Sequence, residues 1–83
     1  MANYQILYWQ DIPSQVKAWD EFDEAKIELS PRFMAKIDQV AQDQSLTDTD
    51  DYLNQWTWSE EQQRPGTPEE VAKAVKQELE ASL

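Results

Sequence analysis

Hydrophobic positions crowd closest together near the start of the chain, in Tyr4-Gln5-Ile6-Leu7-Tyr8-Trp9. Side chains of a strand alternate between faces, which sets Tyr4, Ile6 and Tyr8 on one side and Leu7 and Trp9 on the other. Apolar residues on both sides predict a central strand over 4–9. Pro13 has no N–H to give and drives Ile12 to extended geometry, which predicts that the strand ends nearby. Residues 12–24 then read as a long connection. Its acidic centre is Asp20-Glu21-Phe22-Asp23-Glu24, with Ile12, Val16 and Trp19 available to pin it down. A connection of that length without secondary structure is uncommon and often carries function.

Period two returns in Ala25-Lys26-Ile27-Glu28-Leu29. This predicts a second strand, antiparallel to the first, with Ile27 and Leu29 inward and Lys26 and Glu28 towards water. Ser30-Pro31 reads as a helix start, Ser30 capping an N–H and Pro31 taking the first helical position. Phe33, Ile37, Val40 and Ala41, widened by Met34, form the apolar stripe of a helix of about three turns. Thr47 or Thr49 reads as the cap of a short helical turn, with Asp50 and Asp51 at its positive end. Trp56-Thr57-Trp58 alternates again and predicts a third strand over 54–60 with both tryptophans on the core face. The polar residues from Glu61 to Gly66 read as a turn. Thr67-Pro68-Glu69-Glu70 spells a capping box. The helix it opens runs to about Ser82, with Val71, Ala74, Val75, Leu79 and Leu83 on the buried side. The order β-β-α-turn-β-α predicts an α+β domain over residues 1–83, a three-stranded sheet with two helices packed on one face.

Composition narrows what such a domain does. With 83 residues and no cysteine there is no disulfide framework, and with histidine missing too a structural zinc site is not expected as a support. The core must hold the fold, and four tryptophans supply much of its apolar area. No stretch has the length of a membrane span, and the start lacks the pattern of a signal peptide, so a cytoplasmic, bacterial-type protein is expected. Seventeen acidic against seven basic residues give a net charge of −10. That sign disfavours nucleic acid and anionic membranes as partners and favours a basic protein surface or a cation. Added salt should stabilise the chain modestly by screening its self-repulsion.

Candidate chemistry is thin. Without His or Cys, acid–base or nucleophilic work would fall to carboxylates, Ser, Thr, Lys or Tyr, and the carboxylates occupy capping positions or solvent faces. A single glycine, Gly66, excludes a glycine-rich phosphate loop. Asp48-x-Asp50 begins like a calcium loop, but Leu53 stands where its glycine belongs and Ser59 where its bidentate glutamate belongs. Trp9, Tyr8, Trp56 and Trp58 suit a stacking platform for single-stranded nucleic acid, yet the basic rim of such a platform is missing. No catalytic residue, cofactor or metal is therefore expected. The remaining signal is the aromatic surplus on a thin sheet. Two helices cover one face, so large apolar side chains of the first strand must be sealed by the 12–24 connection or must meet a partner.

The stretch Tyr8-Trp9-Gln10-Asp11-Ile12-Pro13-Ser14-Gln15-Val16 resembles the opening of a small bacterial domain family known as "virulence factor". The resemblance continues through Leu29-Ser30-Pro31-Arg32-Phe33, Asp50-Asp51-Tyr52-Leu53, Trp56-Thr57-Trp58 and Val71-Ala72. It departs at Asp20 to Glu24, which is more acidic and longer than in comparable members. The family occurs as short stand-alone proteins and C-terminal to HEAT-like helical repeats. That resemblance implies a stand-alone member here, with no catalytic residues to carry over and, by analogy with the repeat fusions, a protein-interaction role. The expectation is a non-enzymatic interaction module contacting an unknown protein partner through Tyr8, Trp9, Asp11, Trp19 and Phe22, as a monomer or weak homodimer. The competing expectation is a small-molecule or divalent-cation binding domain built on the acidic connection.

Overall fold

A computed structural model describes residues 1–46 and 49–82. Strand β1 spans Ala2–Trp9, β2 Ile12–Trp19 and β3 Glu24–Glu28. Helix α1 spans Pro31–Asp43 and the short α2 Thr49–Leu53, followed by strands β4 (Trp56–Trp58) and β5 (Gln62–Arg64) and helix α3 (Pro68–Ala81). The class is α+β, as expected, but the antiparallel sheet has five strands rather than three. Its order is β3-β2-β1-β4, with β5 also paired to β1. β1 is thus central.

The largest correction concerns residues 12–24. They form no long connection: Ile12–Trp19 is a full strand paired to β1 along its length. Ile12, Val16 and Ala18 are buried at every second or fourth position, the signature of a half-buried strand. The chain reverses at Gln10-Asp11, where Gln10 takes φ +56, a region normally left to Gly or Asn. Contacts hold it there. The Gln10 N–H donates to the Gln55 carbonyl at 3.0 Å, and its side-chain amide donates to Gln44 at 2.7 Å. Pro13 is tolerated because pairing slips beside it: Leu7 faces Gln15, Tyr8 faces Pro13, and Ser14 is left over as a bulge. The alternation expected for 4–9 breaks at the same point, with Ala2, Tyr4 and Ile6 buried, then Trp9, and Tyr8 only half-buried.

β3 and the residue after it alternate as the period predicts, Ile27 half-buried, Leu29 buried, and Lys26 and Glu28 exposed. Its partner differs, being β2 rather than β1. β5 replaces the turn expected after Glu61. It is held by polar side chains, which no hydrophobic pattern could reveal. The Tyr4 hydroxyl donates to Gln62 at 2.7 Å, and the Gln63 amide donates to Asn3 at 3.0 Å. The Arg64 guanidinium lies 5.4 Å from the Tyr4 ring centroid and forks onto Glu78 of α3. That ion pair holds the Glu78 carboxyl below its ordinary range.

Helix α3 lies over β1, β2 and β3, and α1 over β2. They bring Val71, Ala72 and Val75, and Phe33, Ile37 and Ala41, onto Tyr4, Ile6, Val16 and Ala18. The Thr67 capping box forms as read, the Glu70 N–H donating to the Thr67 hydroxyl at 3.2 Å and the Thr67 N–H to Glu70 Oε1 at 3.1 Å. Ser30 takes the cap position of α1 but makes no side-chain cap bond, and Met34 is exposed rather than part of the stripe. Ala74 and Leu79 are half-buried, while Ala72, absent from the expected stripe, is fully buried. The side chains of Thr47 and Thr49, expected as caps, and Leu83 lie outside the described residues.

Candidate functional site

Residues directly opposite each other in a ladder share a face. The pairs Asn3–Trp19, Gln5–Lys17 and Leu7–Gln15 between β1 and β2 therefore lie on the side away from α1 and α3. The pairs Trp19–Glu24, Lys17–Lys26 and Gln15–Glu28 extend that side across β3. The face left open by the helices is thus largely polar. Aromatic and aliphatic groups mark its corners, Trp19 at one and the Leu7–Trp58 pair at the other. Trp58, expected in the core, is 41% exposed, and Trp56 is half-buried.

The five residues singled out in the sequence do not converge. Tyr8, Trp9 and Asp11 lie at the Gln10-Asp11 end of the β1–β2 hairpin, and Trp19 and Phe22 at the far end of β2. The seven steps along the eight residues of β2, at ~3.3 Å each, put its two ends about 23 Å apart. Trp9 is 0% exposed, its indole N–H donating to the Tyr52 carbonyl at 3.0 Å, and it offers no surface to a partner. The rings of Trp9 and Tyr52 are 5.5 Å apart, and that of Tyr52 meets Trp56 edge-on at 6.1 Å. Burial and the nearby Asp38 carboxylate push the Tyr52 hydroxyl above its ordinary pKa. Tyr8 is half-buried against the same core, and Asp11 is exposed on the turn.

The other end is different. A four-residue turn, Asp20 to Asp23, joins β2 to β3 and lifts Phe22 to 87% exposure. It contains no glycine; the Asp20 side chain shapes it instead. Asp20 Oδ1 accepts the N–H groups of Phe22 and Asp23, each at 2.8 Å, and the Asp20 N–H donates to the Asp23 carbonyl at 2.9 Å. The Phe22 bond, then the Asp23 bond, hold the Asp20 carboxyl below its ordinary value. Beside the turn, Trp19 is half-buried with the Lys17 ammonium 5.5 Å from its ring centroid. A shallow cavity of about 360 Å³ runs from Lys17 and Trp19 along Asp20 to Glu24. Its acids do not assemble as ligands: among the described residues no group of three or more Asp or Glu is placed to hold a metal ion.

Two features escaped the sequence. Trp58 carried no signal separating it from Trp56, since both sit on the inward beat of the same short alternation. Lys17 was hidden because its strand was read as a connection. Once Lys17 and Lys26 are paired across strands, the open face of this acidic chain has a basic centre bracketed by Glu24 and Glu28.

A family model described as "Virulence factor" matches residues 7–83, and the chain belongs to that family. No curated protein and no solved structure matches it. Among the described residues no helix is long and apolar enough to cross a membrane.

Proposed function

We propose that this family member is a non-enzymatic protein-interaction module whose contact surface is the Trp19–Phe22 end of the open sheet face. The observation that carries the reading is Phe22, 87% exposed on a turn that its own hydrogen bonds hold in shape. A large apolar side chain presented on an ordered turn loses little conformational freedom when bound. Burying it fully in a partner is worth about 1.5–3 kcal/mol. Asp20, Glu21, Asp23 and Glu24 surround it, so the matching surface is an apolar pocket rimmed by Lys and Arg. The absence of His, Cys and a glycine-rich loop from the sequence supports a binding role over a catalytic one.

The test is capture with the purified domain as bait, in parallel with its Phe22→Ala and Phe22→Asp variants. Proteins recovered by the first and lost with the variants are identified, purified and rebound. A direct complex weakened at least about tenfold by Phe22→Ala supports the reading, since that is the scale of one desolvated anchor. Recovery of the same proteins with all three baits defeats it.

A further inference from the structure

The two edges of the sheet are built differently. One is broken into β4 and β5, three residues each. Ser59 plugs the gap: the Ile6 N–H donates to its hydroxyl at 2.9 Å, and the Ser59 N–H to the Ile6 carbonyl at 2.8 Å. The opposite edge, β3, is five unbroken residues. At its two ends Leu29 bonds to Ser14 and Asp23 to Asp20. In an antiparallel ladder alternate residues bond to the same neighbour, so Ala25 and Ile27 also turn their N–H and C=O groups to β2. The N–H and C=O groups of Glu24, Lys26 and Glu28 therefore point away from the sheet. They form a row ready to pair with another strand.

Beside this row lies a groove of about 590 Å³ between β3 and the start of α3, with Ala25, Ile27, Pro68, Glu69 and Lys73 in its walls. A strand added to β3 would alternate its side chains between that groove and the open face. On the groove side the half-buried Ala25 and Ile27 and the buried Pro68 present apolar surface. On the open side it would meet Glu24, Lys26 and Glu28. Lys26 is already engaged by Glu24 at 3.8 Å, and Lys73 by Glu69 at 3.0 Å. Lys17, one strand further in, lies over the Trp19 ring. That leaves Asp23 and Glu28 as the acids at this edge outside any ion pair among the described residues, on a chain of net charge −10. A second copy fits poorly, because antiparallel pairing centred on Lys26 sets Lys26 against Lys26 and Glu24 against Glu28.

We infer that the free edge of β3 is a strand-addition site for an extended partner segment alternating basic and apolar residues, its apolar side chains entering the groove beside α3. The inference rests on the reading of the domain as a protein-interaction module and adds the mode of binding. It draws on the edge and the groove, and needs nothing from Phe22.

The probe is an alternating lysine–valine heptapeptide, titrated into the domain and followed by amide shifts and hydrogen exchange. The expected result is shifts and slowed exchange at Lys26 and Glu28, with the Lys17 and Ala18 amides unmoved. Two controls separate strand pairing from charge attraction. The same peptide N-methylated at alternate amides keeps its charge but loses its bonding edge and should bind at least about tenfold more weakly. The glutamate–valine analogue should not bind. Lys26→Pro removes an outward N–H while sparing the β2 ladder and should abolish the slowed exchange at Glu28; Lys26→Ala, which keeps the N–H, should not. Equal binding of the methylated peptide, or of the glutamate peptide, overturns the inference. So does sedimentation showing that protection of Lys26 follows dimerisation of the domain itself. If the peptide fails while Phe22-dependent capture succeeds, the edge inference falls alone. If the peptide binds and that capture fails, it is the Phe22 surface that is wrong.

Discussion

The hairpin of β1 and β2 has an aromatic group near each end, and the two ends are ordered by opposite means. At the Gln10-Asp11 end Trp9 is buried, its N–H satisfied by the Tyr52 carbonyl and its ring tilted against that of Tyr52 in α2. At the Glu21-Phe22 end Phe22 stands in solvent on a framework of N–H groups donated to Asp20. Order at the first end comes from burying area; at the second it comes from satisfying donors. The same residue class thus does two jobs, support in one place and presentation in the other. What separates them is the covering element, and α2 with its Tyr52 exists at one end only.

Replacing the aromatic group at each end should show the contrast most sharply. Trp9→Ala should cost about 3–5 kcal/mol in urea unfolding, from the lost burial and the cavity left behind. A domain this small has little stability in reserve, so that loss should bring it near its unfolding midpoint in water. A cost under about 1 kcal/mol would mean that the Trp9 end is no part of the core and would erase the distinction.

The presenting end leans on the start of α3, whose capping threonine lines the groove beside Asp23 to Ile27. Thr67→Ala should lower stability by about 1 kcal/mol, the usual worth of a cap. Exchange should quicken first at the N-terminal turn of α3, while the Trp9 indole N–H stays protected. Loosening of both ends together would show them to be one cooperative unit and blunt the comparison.

How each end reads in the sequence follows the same division. Burial leaves a periodic trace: the α3 capping box and stripe, the stripe of α1 and the alternation of 25–29 were all legible, and so was the centrality of β1. The β2 strand was lost although Ile12, Val16 and Ala18 alternate correctly. Neither of its turns contains glycine, and Pro13 sits inside it. Gln10 reaches its left-handed φ only with help from Gln44 and Gln55, far along the chain, and Pro13 is accommodated only by the Ser14 bulge. Tertiary contacts supplied what local turn chemistry normally announces. β5 was lost for a different reason: polar side chains hold it, and polarity alone reads as loop. Of the candidate site, Phe22 and Trp19 were legible as aromatics in an acidic stretch. Trp9 was misjudged because its cover, Tyr52 of α2, lies far along the chain and carries no local signal of that contact.

Protonating Asp20 should unmake the turn without touching the Trp9 end. Its carboxyl titrates below the ordinary Asp value because the native turn donates two N–H groups to the charged form. A depressed native pKa means the contribution is fully present above the unfolded value of about 3.9 and is lost as pH falls through the lower native one. The Phe22 and Asp23 amides should therefore shift and exchange faster below about pH 4, ahead of global acid unfolding. Asp20→Ala should produce the same spectrum at neutral pH. Asp20→Asn, whose amide oxygen still accepts, should keep the turn and lose the pH response. Identical profiles for the wild type and Asp20→Asn would assign the acid transition to other carboxylates.

The smallest effect on stability should come from the most exposed aromatic residue. Phe22 donates a backbone N–H to its turn, and its ring is 87% exposed. Phe22→Ala keeps that N–H and removes apolar surface already in water, so unfolding should shift by no more than about 0.5 kcal/mol. A large apolar group that contributes little to its own fold is free to serve the contact surface proposed above. The variant pair Trp9→Ala and Phe22→Ala should therefore split cleanly, one losing fold and the other losing capture. If Phe22→Ala unfolds the domain as Trp9→Ala does, Phe22 packs in solution against part of this chain, and the contrast between the two ends collapses.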